Sequence, residues 1–252
     1  MRDSLAALVL AAGEGRRLRP LTRLRPKALC PVAGDALVDQ AISRLATVVS
    51  SEDVAVNVHH GREQLEHHLS GRVYLSVEEP VALGTAGAVA HLRPWLDGRS
   101  VLIVNADTWH TADLAPLVAE WDGERVRVLV CGRIGDQLGA TSRILGSLLP
   151  WSEVLRLPHA PWGLWEATWR ERLAEGALDV ATAEGNFVDC ATPADYLAAN
   201  LSASGGASVI GEGAVVQGSV VRSVVWPGGV VRAEEVLVEA VRVGERLTVT
   251  TG

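Results

Sequence analysis

Apolar residues in this chain fall into short runs separated by stretches with helical spacing. Leu5–Leu10, Val54–Val58, Val73–Val77, Val101–Asn105 and Val126–Val130 are rich in aliphatic and β-branched residues, and most are bounded by Gly, Asp or Glu. Such runs read as strands. Between them, Leu37, Ala41, Ile42, Leu45 and Val48 recur at helical spacing, and Leu65, His68 and Leu69 do so more weakly. Ala86–Leu96 and Leu114–Trp121 also read as helices. This alternation predicts an α/β fold with a mostly parallel sheet and helices on both faces. Sheets of that kind take ligands at the carboxyl ends of their strands. Arg143–Leu149 predicts a further strand and Trp162–Glu175 a Trp-rich helix. Ala194–Leu201 predicts a helix opened by Thr192 as N-cap, with Pro193 at its first position.

The pattern changes after Ser204-Gly205-Gly206. Val209, Val215 and Val221 recur every six residues, and Val225, Val231, Leu237, Val243 and Val249 form a second six-residue series. Gly211, Gly213, Gly218, Gly228 and Gly244 punctuate it. A hexapeptide period marks a parallel β-helix, in which each edge turns one aliphatic side chain inward. The expectation is a first domain over residues 1–203 and a short left-handed parallel β-helix over 204–252. Its length makes about two coils, fewer than the ~3 repeats that usually stand alone. The segment must therefore pack on the first domain or on another subunit, which allows a homo-oligomer.

A length of 252 residues fits one large domain with a small appendage, and 48% hydrophobic against 21% charged residues excludes global disorder. The 23 basic and 30 acidic residues leave a net charge of −7, which argues against nucleic acid and anionic membranes as partners. No apolar run approaches the ~20 residues of a membrane span. Residues 4–13 are apolar but lead into a Gly-rich loop rather than a cleavage site, so they read as the first strand of a cytoplasmic protein. Cys30, Cys131 and Cys190 form no CxxC and are odd in number, against a disulfide framework or a Cys-rich zinc site. His59, His60, His67 and His68 lie close in sequence, but adjacent side chains in a strand or helix point apart, against a zinc cluster. Trp162, Trp165 and Trp169 share a helical spacing and read first as packing residues, second as a sugar-stacking face. Lys27 is the only lysine.

The densest chemistry lies in Leu10-Ala11-Ala12-Gly13-Glu14-Gly15-Arg16-Arg17-Leu18-Arg19-Pro20-Leu21-Thr22, followed by Pro26-Lys27-Ala28-Leu29 and Pro31-Val32. A strand feeds a loop with two glycines, which lets backbone N–H groups approach a phosphate. Arg16 offers a planar fork for pyrophosphate oxygens, and Lys27 a compact charge for the reacting phosphate. The run is neither a GxxxxGK[ST] loop nor a GxGxxG fingerprint.

These residues resemble the sugar-1-phosphate nucleotidyltransferases, whose pattern is LAAGxGxRLxPLTxxxPKxLxPV. The resemblance continues at Val56–His60, at Glu79–Gly87 (EPVALGTAG), at Asn105-Ala106-Asp107, at Val188–Pro193 and in the hexapeptide tail. The tail and LGTAGA look most like the mannose-1-phosphate guanylyltransferase branch. The resemblance implies a Rossmann-like domain and transfer of a nucleotidyl group from an NTP to a sugar-1-phosphate, with release of pyrophosphate. It implies Mg²⁺ held by Asp107 and Asp189, and a nucleotide site built from Leu10, Ala11, Ala12, Gly13, Gly15, Glu79, Gly84 and Thr85, with the base against the backbone of Leu10–Ala12 and the segment Glu79–Gly87. Arg16 and Lys27 are then the catalytic cations. Glu79 stands where many uridylyl- and thymidylyltransferases have Gln. A carboxylate accepts from both guanine N1–H and N2–H₂, which favours GTP; the other reading is a solvated turn at Glu78-Glu79.

Two departures bear on the acceptor. Many relatives carry a Glu-Lys-Pro between the two carboxylates, and this chain has no second lysine; Arg133 or Arg143 could substitute. Ala191 replaces a glycine, which predicts strain if that position needs a positive φ. Three readings therefore stand: a GTP-preferring enzyme with a hexose-like acceptor, the same reaction with UTP or dTTP or with a cyclitol, heptose or alkyl phosphate, and a catalytically silent NDP-sugar-binding regulatory subunit.

Overall fold

Leu5–Leu10 (β1) is apolar throughout and has its four central residues buried, as a strand covered on both faces requires. It lies inside a seven-stranded sheet with Val54–Val58 (β2), Tyr74–Val77 (β3), Ser100–Asn105 (β4), Arg127–Cys131 (β5), Ile144–Leu149 (β6) and Asp179–Ala183 (β7). The order is β7-β5-β6-β4-β1-β2-β3. β6 runs antiparallel to both β4 and β5, and every other pairing is parallel. The computed structural model describes residues 4–133, 138–139 and 141–251. Part of the stretch between Arg133 and Arg143 lies outside these residues.

The described chain divides into two units. The first comprises Met1–Gly13, Gln40–Ala106 and His110–Gly185 and contains the whole sheet. Ala6, Leu8, Ala55, Val101 and Ile103 pack with Val89, Leu92, Leu96 and Val154 in its core. Each fully buried Val, Leu or Ile side chain among them contributes roughly 1.5–3 kcal/mol. Register places Asn57, Leu10 and Asn105 side by side at the carboxyl edge. The expected helix at 86–96 is two pieces, Gly84–His91 and Arg93–Leu96. The expected helix at 162–175 is a π-turn, Trp165–Trp169, running into Arg170–Ala174.

The second unit comprises Glu14–Asp39, Asp107–Trp109 and Asn186–Gly252. Three single 3₁₀ turns, Arg16–Leu18, Leu21–Arg23 and Lys27–Leu29, carry the motif. The helix Pro193–Ala203 opens as its sequence predicts: Thr192 Oγ1 accepts from Asp195 N at 3.2 Å, and Asp195 Oδ2 accepts from Thr192 N at 3.0 Å. The C-terminal residues form short parallel strands stacked on three faces. Val209, Val224 and Val241 share one register, Val215 pairs Val230, and Val220 pairs Leu237.

Two details of the expected period change. Val225, Val231 and Leu237 form the small core of the stack, but Ala214 and Val220 face them rather than Val215 and Val221, which are exposed. Each of these is one residue off because Ala214-Val215 and Val220-Val221 are adjacent aliphatic pairs, and the first member of each turns inward. Val249 lies not on a further coil but on Leu247–Thr250, which returns antiparallel to Ala240–Val243. The strain expected at Ala191 is also absent. Positive-φ residues other than glycine are Ala33, Asp97, Arg222 and Glu239 among the described residues, so alanine fits the backbone at 191 without penalty.

Candidate active site

The second unit holds the charged cluster. Lys27 opens its 3₁₀ turn after Pro26, and Cys30 N returns to Lys27 O at 3.0 Å. Its side chain is buried, and Nζ donates to Asp107 Oδ2 at 2.7 Å and to Asp189 Oδ1 at 3.3 Å. Asp189 ends the strand Phe187–Asp189, which pairs with the strand that begins at Thr108, just after Asp107. Cys190 N donates to Asp107 O at 3.1 Å. Backbone registration thus sets the two carboxylates beside each other, and the lysine spans them.

Burial acts to lower the Lys27 pKa, but charge attraction and hydrogen bonds from Asp107, then from Asp189, outweigh it and leave the ammonium above its ordinary 10.5. The stability this contributes is fully present below the unfolded lysine's pKa and is lost as pH rises through the raised folded value. Lys27 is therefore charged throughout the neutral range. The Asp107 and Asp189 side chains are 40% and 49% exposed, so oxygens not used by Lys27 reach solvent.

Gly15 explains the spacing of the motif. Its φ is 64°, and a Cβ there would lie 2.9 Å from Thr22 Cγ2 and 3.1 Å from Lys27 Cβ. Glycine is needed both for the left-handed backbone and for the close approach to the lysine. Arg16 is exposed, with Nε 2.5 Å from Glu14 Oε2, while Arg19 Nη2 holds the other oxygen at 2.5 Å.

The first unit holds the remaining predicted residues. Ala11 N donates to Asn57 Oδ1 at 2.7 Å, Asn57 Nδ2 donates to Glu78 Oε1 at 2.7 Å, and Leu83 N donates to Glu78 Oε2 at 2.7 Å. This chain of bonds ties the loop after β1 to the ends of β2 and β3 and to the entry of Gly84–His91. The sequence reading missed both Asn57 and Glu78. A polar Asn inside the otherwise apolar run Val54–Val58 was the available signal. Glu78 is fully buried, whereas Glu79 is exposed and ion-paired with Arg62. The solvated-turn alternative thus describes Glu79 but not Glu78. Ala12 O accepts from His60 N at 3.4 Å, and Gly13 is exposed.

Thr85 Oγ1 accepts from Leu164 N at 2.8 Å. Thr85 also lines a cavity of about 240 Å³ with Leu10, Asn105, Gly146, Trp165 and Trp169. Trp169 packs against the core, and its Nε1–H is buried with no acceptor among the described residues. Trp162 is half exposed, outside that lining. Arg133 and Arg143 line a separate open bay of about 560 Å³ at the carboxyl end of β5.

Gly84 has φ 68°, and a Cβ there would lie 2.6 Å from Trp162 O. Gly84→Ala adds left-handed strain to a clash with backbone, and should cost about 2–3 kcal/mol in a denaturant midpoint measurement. A loss below about 0.5 kcal/mol, the scale of an inconsequential substitution, would contradict this role.

The fold and the site together present a mainly parallel α/β sheet, a glycine loop after an interior strand, and a lysine held by two aspartates. Residues 6–137, just over half the chain, match the family described as nucleotidyl transferase. The chain belongs to that family. It is 39% identical over 152 residues to an N-acetylmuramate alpha-1-phosphate uridylyltransferase of Caulobacter vibrioides, covering 56% of this chain and 60% of the relative. It is 32% identical over 136 residues to a mannose-1-phosphate guanylyltransferase of Mycobacterium tuberculosis, covering 52% and 38%. These matches span less than two thirds of either relative. A solved structure from Thermus thermophilus, described as a mannose-1-phosphate geranyltransferase, shares the fold with a TM-score of 0.68. The match has 23% identity and covers 99% of this chain and 95% of that one. Among the described residues no helix is long and apolar enough to cross a membrane, and no group of three His, Cys, Asp or Glu assembles as a metal site.

Proposed function

We propose that this chain transfers a nucleotidyl group from an NTP to a sugar-1-phosphate of the mannose-1-phosphate type, giving an NDP-sugar and pyrophosphate. The observation that carries the reading is the buried Lys27 ammonium spanning Asp107 and Asp189. In this reading Asp107 and Asp189 hold Mg²⁺. The donor set suits it: two hard carboxylates with solvent-facing oxygens leave the remaining positions to water and phosphate. When bound, the ion neutralises charge on phosphate oxygens. Lys27 keeps a positive charge where two anions must meet, and the carboxylates fix its direction. Arg16 exchanges Glu14 for pyrophosphate oxygens. In the first unit, the backbone of Leu10–Gly13 and of Gly84-Thr85 lines the nucleotide, and Glu78 holds those two loops in place.

Guanine is the base favoured by the Glu79 argument. A second reading, UTP or dTTP, is favoured by the ion pair that engages Glu79 with Arg62. Glu79→Gln separates them. If Glu79 reads guanine, kcat/KM for GTP relative to UTP and dTTP should fall roughly tenfold, the scale of one lost charged hydrogen bond. An unchanged ranking removes the guanine preference.

The acceptor phosphate relies on Lys27 and Mg²⁺, with Arg133 or Arg143 in the role of the missing lysine. A cyclitol, heptose or alkyl phosphate is the alternative acceptor. We take residues 1–203 as the nucleotidyltransferase domain and 204–252 as a left-handed β-helix segment able to join copies of the chain, working in the cytoplasm where both substrates occur. The reading is tested by release of pyrophosphate that depends on both an NTP and a sugar-1-phosphate. NDP-sugar binding without any release would support the regulatory-subunit reading instead.

A further inference from the structure

Trp226 is the largest fully buried side chain of the C-terminal stack, 1% exposed, and its contacts lead back to Lys27. On one side the Arg25 guanidinium lies over its ring, 4.4 Å from the centroid. On the other, Trp226 Nε1 donates to Tyr196 Oη at 2.9 Å, with the two rings edge to face at 6.4 Å. Tyr196 Oη in turn donates to Pro31 O. Arg25 and Pro31 bracket the segment that contains Lys27. A single tryptophan therefore grips both ends of that segment, one by a cation–π contact and one through a tyrosine hydroxyl.

The same helix reinforces the grip. Asn200, one turn after Tyr196, accepts from Ala33 N at 3.0 Å and donates to Tyr196 O at 3.0 Å. This helix starts at Pro193, four residues after Asp189, so the carboxylate and the lysine segment are referred to one rigid element. A short 3₁₀ turn after a proline has little stiffness of its own. Its lysine nevertheless holds two carboxylates at once, which demands a fixed backbone.

We propose that Trp226, with Arg25 and Tyr196, is a positioning element for Lys27, so that the C-terminal stack sets the geometry of the transfer site rather than serving only as an assembly surface. This rests on the proposed function for its catalytic consequence, but not for its structural one. A displacement of about 1 Å at such a site is enough to cost 10²-fold in rate.

The test uses the sole lysine. Amine-directed acylation of the full chain without substrates, resolved by peptide mapping, reports how tightly Lys27 is held. Tyr196→Phe removes only the relay hydroxyl, and Arg25→Gln only the cation. Each should raise the Lys27 acylation rate about fivefold or more, as a loosened segment lets the buried amine leave its two carboxylates and meet the reagent more often. Each should also lower kcat about tenfold, with KM for the NTP changed less than about twofold. Val241→Ala, in the same core but outside the bracket, is the control. It should lower the melting temperature and leave acylation unchanged. The proposal is overturned if neither Tyr196→Phe nor Arg25→Gln alters acylation, or if Val241→Ala raises it equally. Because acylation needs no turnover, an inactive wild-type chain with the expected acylation pattern would count against the proposed function alone.

Discussion

Asp107→Ala and Asp189→Ala are each expected to lose turnover by about 10³-fold or more, the scale of several kcal/mol of metal-borne charge stabilisation. Both side chains are anchored by backbone pairing of short strands, and each is 40% or more exposed, so neither is part of a packed core. The chain should stay folded, with a modest fall in melting temperature as Lys27 loses one of its two partners. The two variants differ in one respect. Asp107 makes the shorter bond to Lys27, 2.7 Å against 3.3 Å, so Asp107→Ala should free the ammonium more. Steady-state rates across a Mg²⁺ titration, with circular dichroism as a fold control, decide the matter. Near-normal Mg²⁺-dependent rates in either variant would contradict the metal assignment.

Lys27→Arg is expected to lose turnover by ~10²-fold while keeping much of its nucleotide binding. Arginine keeps the charge, but its guanidinium is longer and planar. Lys27 sits with its Cβ 3.1 Å from where a Gly15 Cβ would lie, and its ammonium fits between two carboxylates. A planar fork there pairs with one carboxylate side-on and displaces the other. Bound NTP should also protect the wild-type amine from acylation. Full activity in Lys27→Arg, with acylation indifferent to ligand, would place Lys27 outside the reaction.

Much of the fold is legible because burial on both faces forces continuous apolar runs. β1, β2, β4 and β5 announce themselves in this way, within a residue at either end. β7 does not. Asp179–Ala183 is an edge strand with every residue only partly buried, so its composition carries no such constraint. The helix at 162–175 was legible as helical but not as a π-turn, because the extra residue per turn depends on local packing rather than on period. In the C-terminal stack, the adjacent aliphatic pairs Ala214-Val215 and Val220-Val221 hid the phase of the first coil while the period itself stayed plain.

The site divides in the same way. Lys27, Asp107 and Asp189 were legible from motif and resemblance, and the structure brings these three together although the aspartates lie 80 and 162 residues from the lysine. Arg16 and Glu79 were named from the same motifs, yet both stand exposed in ion pairs with Glu14 and Arg62. The supporting residues were not legible. Glu78 reads like its neighbour Glu79, but alternation along the chain buries one and exposes the other. Trp226 falls in a valine-rich period as an interruption, and only tertiary contact reveals what its indole holds.

The proposed activity is transfer of a nucleotidyl group onto a sugar phosphate. The most direct measurement follows an NTP labelled at its α-phosphorus, supplied with Mg²⁺ and a panel of sugar-1-phosphates, and tracks the label by chromatography and mass spectrometry. Label should enter an NDP-sugar in step with pyrophosphate release, only when acceptor and Mg²⁺ are both present. Label that stays in the NTP with every acceptor, while NDP-sugars still bind, would contradict it.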